Sequence, residues 1–258
     1  MCGIAGFYGL NVGHDVRLAL VSALGDLIDT RGGHAIGYAD HTGCVGKRAG
    51  MWRTASSNFR SGAARGTTCI MHARFATCGK HDDPRQAHPF TVYGSEGAYI
   101  GVHNGVLHGT QETARERGRS HTVDSLEFYR LLADGEYDAI ASLRGYGALV
   151  YRNVYSPDVV YLVRMTQGSD LHIASVASGG YVWASTESIA LRAMAYAGLE
   201  CDGSFLVEAD GRPTAITPDG VFHMSGDRPI KLANEPAMRR DASYYDSFDW
   251  ATWPNWER

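Results

Sequence analysis

A chain of 258 residues that is 44% hydrophobic can bury a substantial core, as one large domain or two small ones. Its net charge of −4, with lysines and arginines scattered along the chain, gives no electrostatic footprint for direct nucleic-acid binding. Five cysteines, an odd number with no Cys-x-x-Cys pair, suit a reducing compartment better than a disulfide framework and argue against structural zinc.

In chain order, Cys2 comes first, directly behind the initiator methionine and small enough to make removal of Met1 plausible. The short apolar run Ile4-Ala5-Gly6-Phe7-Tyr8-Gly9 predicts a buried strand that fixes this terminus. No basic stretch precedes a sustained apolar run, and no window reaches the length of a membrane span, so a cytoplasmic protein without membrane contact is expected. Val16, Leu20, Leu24 and Ile28 recur at every fourth position and predict an amphipathic helix capped by Asp15 and ending at Arg31-Gly32-Gly33. Strands are expected at 35–39, running into a turn at 40–43, and at 67–71, which delivers His72-Ala73-Arg74-Phe75-Ala76-Thr77. A polar loop follows over 79–86. A further strand over 98–102 should end in His103-Asn104-Gly105. Helices are expected around 110–117 and 124–132, the latter with Leu126, Tyr129 and Leu132 on one face.

The second half is mostly strands, clearest at 148–151, 159–163 and 181–184, with one helix over 189–196. Asp210-Gly211 and Asp219-Gly220 are hairpin-type turn dipeptides. Helices lying between groups of strands predict an α+β chain, a single domain in which two packed sheets are flanked by helices as a four-layer sandwich. This domain is expected to cover 1–235, leaving an acidic, aromatic tail over 236–258 that contains Tyr244, Tyr245, Trp250, Trp253 and Trp256. Two uses of the tail are open: docking onto a partner, since aromatics dominate interface hot spots, or an arm that folds back or stays disordered.

With Met1 removed, Cys2 would carry a thiol and a free α-amine on one carbon. An N-terminal amine has a pKa near ~7.7–8.0, so part of it is neutral at physiological pH and can take the thiol proton without a histidine. An ordinary small apolar residue opening a strand is the alternative for Cys2 taken alone. The surrounding motifs decide between the two. Met1-Cys2-Gly3-Ile4-Ala5-Gly6, Arg31-Gly32-Gly33-His34-Ala35-Ile36-Gly37, His72-Ala73-Arg74-Phe75-Ala76-Thr77, Ala87-His88-Pro89, His103-Asn104-Gly105 and Thr122-Val123-Asp124-Ser125 occur in one order. In that order and spacing the chain resembles the class II glutamine amidotransferases, particularly the glutaminase half of glucosamine-6-phosphate synthase. Trp183-Ala184-Ser185-Thr186-Glu187-Ser188 extends the likeness, to about residue 225.

The resemblance implies an N-terminal nucleophile hydrolase fold, the αββα sandwich, and hydrolysis of the side-chain amide of L-glutamine to glutamate and ammonia without a cofactor. It implies Cys2 as nucleophile, with Asn104 and Gly105 as donors to the oxyanion, although Asn-Gly is also a common tight-turn dipeptide. Arg74 would hold the α-carboxylate as a bidentate fork and Asp124 the α-ammonium, against the plainer readings of a surface ion pair and a helix cap. Thr77 would also meet the carboxylate end, and Phe75 would form an apolar wall. Arg31, His88 and His103 would support the pocket. A metal cluster of His72, His81, His88, His103 and His108 is the competing reading, but their spacing follows no helix-based zinc pattern. Relatives often carry Trp where this chain has Phe75, and His-Gly where it has Cys78-Gly79. Synthases of this kind join the glutaminase to an ammonia-consuming domain, for which this chain leaves no room. A separate synthase as partner is therefore expected. The alternatives are a hydrolase of larger γ-glutamyl amides and an inactive binding module.

Overall fold

The structure is a computed structural model, and it describes residues 1–77, 79–81, 83–165, 169–225 and 228–233. Cys78 and the aromatic tail lie outside the described residues. The elements in order are β1 (Gly3–Tyr8), α1 (His14–Ile28), β2 (Ala35–Asp40), β3 (Val45–Ala49), α2 (Ser57–Ala63), β4 (Cys69–Arg74), β5 (Phe90–Tyr93), β6 (Ala98–His108), α3 (Thr110–Glu116), α4 (Asp124–Ala133) and α5 (Tyr137–Ser142). They continue with β7 (Arg144–Asn153), β8 (Val160–Arg164), β9 (His172–Val176), β10 (Tyr181–Ala184), α6 (Glu187–Tyr196), β11 (Cys201–Leu206), β12 (Pro213–Thr217), β13 (Gly220–Ser225) and β14 (Arg228–Ala233).

The strands form two seven-stranded antiparallel sheets, ordered β11-β9-β10-β1-β4-β2-β3 and β14-β13-β12-β8-β7-β6-β5. In the first, β1 lies in the middle, with Ala5 opposite Met71 of β4 on one side and Ala184 of β10 on the other. Alternation along β1 follows the two-residue period of a strand. Ala5 and Phe7 pack with Leu20, Leu24 and Ile28 of α1 and with Ile189 and Ala193 of α6. Ile4 and Tyr8 face the other way and pack with Val102, Val150 and Leu162 of the second sheet. The far side of that sheet buries Leu149, Tyr151 and Val163 against Phe128, Tyr129 and Leu132 of α4.

The close approach of β1 to its neighbours explains a glycine of the opening motif. A Cβ on Gly6 would stand 2.3 Å from the Cys69 carbonyl and 2.4 Å from the Trp183 ring. Backbone and a fully buried indole cannot both yield, so Gly6→Ala should destabilise the fold by about 3 kcal/mol, seen as a lowered urea midpoint; an unchanged midpoint would contradict this packing.

Three local expectations are corrected. Gly13 occupies the N-cap of α1, and Asp15 sits within the first turn with no side-chain cap bond. On α4, Leu126, Tyr129 and Leu132 do pack on one core, Leu126 partly buried, with Phe128 and Leu131 buried beside them. Asp210-Gly211 is not a hairpin: β11 pairs with β9 in the first sheet and β12 with β8 and β13 in the second, so the chain crosses between sheets there. Asp219-Gly220 does turn β12 into β13. Finally, β6 does not end at His103-Asn104-Gly105 but runs on to His108, paired throughout with β7. Asn-Gly is tolerated in mid-strand because Gly105 faces Gly147, with φ of +156° and +144°, and the two backbones approach too closely for side chains.

Candidate active site

The central position of β1 holds the amino terminus in place. Ser185, at the end of β10, receives the Ile4 N–H at 2.8 Å and returns both its hydroxyl and its backbone N–H to the Ile4 carbonyl. Arg31 Nε donates to the Cys2 carbonyl at 3.1 Å. Cys2 therefore projects from a terminus fixed on both flanks, and its Sγ accepts the Phe75 N–H at 3.2 Å just beyond β4. Burial pushes the thiol above its ordinary pKa; the Phe75 hydrogen bond, the terminal ammonium and Arg74 oppose this, and Asp124 adds to it. Such a sulfur is a protonated thiol at neutral pH and needs a base before it can attack.

Cys2 opens onto a cleft of about 280 Å³, open mouth included, whose walls bring together Arg74, Phe75, Thr77, His88, His103, Gly105 and Asp124. These residues come from five separate stretches of sequence. Arg74 is 3% exposed although it is a cation, and its Nη1 donates to the Lys80 carbonyl at 2.8 Å. Lys80 is held in turn by its N–H on Gln86 Oε1. Phe75, 46% exposed, stacks on the His34 ring, and His34 Nδ1 accepts the Ala76 N–H, so this wall is braced from the Arg31–His34 motif.

Asp124 opens α4, but the N-cap is Val123. Its Oδ2 accepts the Leu107 N–H of β6 at 2.8 Å, and its Oδ1 accepts the Ser125 N–H at 2.8 Å. Both oxygens are thus oriented by backbone while the carboxylate lines the cleft. Asn104 is 2% exposed, and its Nδ2 has no hydrogen-bond partner among the described residues. A buried amide N–H₂ left without a protein acceptor is costly, and such donors are common where charge appears only during a reaction.

His88 and His103, which line the cleft, and His72 are all buried. The His72 and His88 rings are 4.4 Å apart, and His72 Nε2 donates to the His103 carbonyl at 3.1 Å, tying β4 of one sheet to β6 of the other. Burial pushes His72 down to about 3 and His88 well below its usual value; it lowers His103 as well, against the pull of Asp124 and the Tyr146 carbonyl. His81 instead lies edge-on to His34, at 5.5 Å. Among the described residues no three His, Cys, Asp or Glu side chains are grouped to hold a metal ion.

These neutral imidazoles make stability depend on pH with a definite sign. Below about 6.5 the unfolded chain takes up protons that the folded chain refuses, so stability is complete above that value and is lost as pH falls from 6.5 towards 3 for His72. Each buried histidine contributes about tenfold in the folding equilibrium per pH unit over its window. The urea midpoint should be flat between pH 7 and 8 and fall steeply between pH 6.5 and 5. A flat profile down to pH 5 would mean that these rings are not buried and neutral.

Ser125, His34 and Ser185 brace the cleft and its amino terminus although sequence alone does not mark them, each standing inside one of the motifs. The signal for Ser125 was its place directly after Asp124. The signal for Ser185 was a polar residue at the end of an apolar strand.

No protein-family profile matches the chain, and no curated protein does. Solved structures match it. Glutamine phosphoribosylpyrophosphate amidotransferase from B. subtilis, complexed with ADP and GMP, aligns at a TM-score of 0.60 and 17% identity over 86% of this chain and 49% of that one. A structure described as the allosteric regulatory enzyme of purine biosynthesis aligns at 0.61 and 19% identity, over 85% and 48%. A predicted glutamine amidotransferase from Pseudomonas aeruginosa, at 12% identity and a TM-score of 0.40 over 85% and 94%, is too distant to bear on the argument. The fold is that of the class II glutamine amidotransferases. The chain spans about half the length of the first two structures it matches. No helix among the described residues is long and apolar enough to cross a membrane.

Proposed function

We propose that this protein is a glutaminase of the class II amidotransferase kind, built as a four-layer αββα sandwich within 1–235 and acting through Cys2 once Met1 is removed. The carrying observation is the cleft in which Cys2 faces a buried cation, Arg74, and an oriented carboxylate, Asp124. Free glutamine presents the complementary pair of charges on one carbon and an amide carbon a few bonds away. Arg74 takes the α-carboxylate, assisted by Thr77, and Asp124 the α-ammonium, which leaves the side-chain amide over the sulfur.

The freed α-amine of Cys2 takes the thiol proton, and the sulfur adds to the amide carbon. Asn104 Nδ2 and the Gly105 N–H receive the oxyanion. Collapse breaks the C–N bond, the amine returns its proton to the leaving nitrogen, and ammonia departs. Water then cleaves the thioester to glutamate and restores the thiol. The ammonia passes to a separate synthase in the cytoplasm.

A glutamine analogue bearing a diazoketone in place of the amide tests this reading directly. Intact mass should show a chain lacking Met1 and labelled once, and peptide mapping should place the label on Cys2. A chain that keeps Met1, or a label on Cys44 or Cys201 in place of Cys2, would overturn it.

A further inference from the structure

Asp124 receives a third contact, from a residue that the glutaminase reading does not use. Ser125 Oγ stands 3.2 Å from Asp124 Oδ1 and 3.3 Å from His103 Nδ1. The order of donors follows from chemistry. A carboxylate only accepts, so the serine hydrogen points to Asp124 Oδ1. Ser125 is 1% exposed and His103 2%, so water does not compete for these bonds. His103 Nε2 lies beside the Gly105–Gly147 pair.

We infer that Ser125, braced by His103, is a positioning residue that sets the carboxylate plane of Asp124 and thereby selects substrates carrying an α-ammonium group. This rests on the proposed glutaminase activity. The two backbone donors to Asp124 hold one oxygen each, and the serine hydroxyl adds a second donor to Oδ1. Its hold acts on the end of the substrate away from the reacting amide, so it bears on capture and not on the chemical step.

The experiment compares wild type, Ser125→Ala and Ser125→Thr on two substrates: L-glutamine, and 4-carbamoylbutanoate, which is glutamine without its α-amine. Ser125→Ala should raise KM for glutamine about tenfold, as expected for loss of one hydrogen bond to a charged group, with kcat within about twofold. Its kcat/KM for 4-carbamoylbutanoate should be unchanged. Ser125→Thr, which keeps the hydroxyl, should restore KM for glutamine. Equal losses on both substrates, a loss in kcat alone, or no change in KM would overturn the inference while leaving the glutaminase reading intact. Absence of glutamine hydrolysis by the wild type would instead remove that reading, and the inference with it.

Discussion

Cys2→Ala is expected to abolish glutamate release from L-glutamine, with a fall of at least about 10³-fold in kcat, while the folded protein keeps its stability. The size of the loss follows from the proposed role of Cys2: removing the attacking atom leaves only positioning and oxyanion stabilisation. Preserved stability follows from the contacts. Sγ accepts one hydrogen bond, from Phe75, at 3.2 Å, and the terminus is held by Ser185 and Arg31 through backbone atoms that alanine retains. The change should cost no more than about 1 kcal/mol. The measurement is glutamate release beside a urea melt of both proteins. Activity surviving the substitution would reject the mechanism. A companion form with an uncleavable residue ahead of Cys2 should be equally inactive, since its α-amine is tied into a peptide bond and the raised thiol pKa leaves the sulfur protonated.

Asn104→Ala is expected to lower kcat by about 10²-fold to 10³-fold, the usual consequence of deleting one oxyanion donor, with little change in KM. Stability should respond differently from that of most buried substitutions. The Asn104 Nδ2 makes no hydrogen bond among the described residues, so its removal relieves an unsatisfied donor and offsets the small cavity that alanine leaves. Comparing kcat with the urea midpoint separates the two roles. A large fall in stability with kcat per folded molecule unchanged would make Asn104 a structural residue. Asn104→Asp should be at least as inactive, because it places a second anion beside the developing charge.

The candidate site was legible in sequence through several motifs read together. Cys2, Arg74, Asn104-Gly105 and Asp124 each have a plain structural reading alone, and only the joint order and spacing of their motifs singles them out. Their surroundings were read less well. Asparagine and glycine favour turns, so Asn104-Gly105 reads locally as a strand end, yet the strand continues, since Gly147 opposite lets the two backbones approach. Asp210-Gly211 reads locally as a hairpin, because turn chemistry is the same whether the next strand pairs with the last or crosses to another sheet. The short helices α2 and α5 lacked enough residues to show a period.

By itself, the sequence determined that the chain could bury a large core and which segments were amphipathic helix or apolar strand. These properties belong to local composition and spacing. Tertiary structure alone decided that β1 runs through the middle of a sheet, that Arg74 and Asp124 reach the same cleft as Cys2, and that His72, His88 and His103 are buried and neutral. Burial, orientation and pKa depend on atoms supplied by strands far away in the chain, and so appear only when the two sheets have closed on one another.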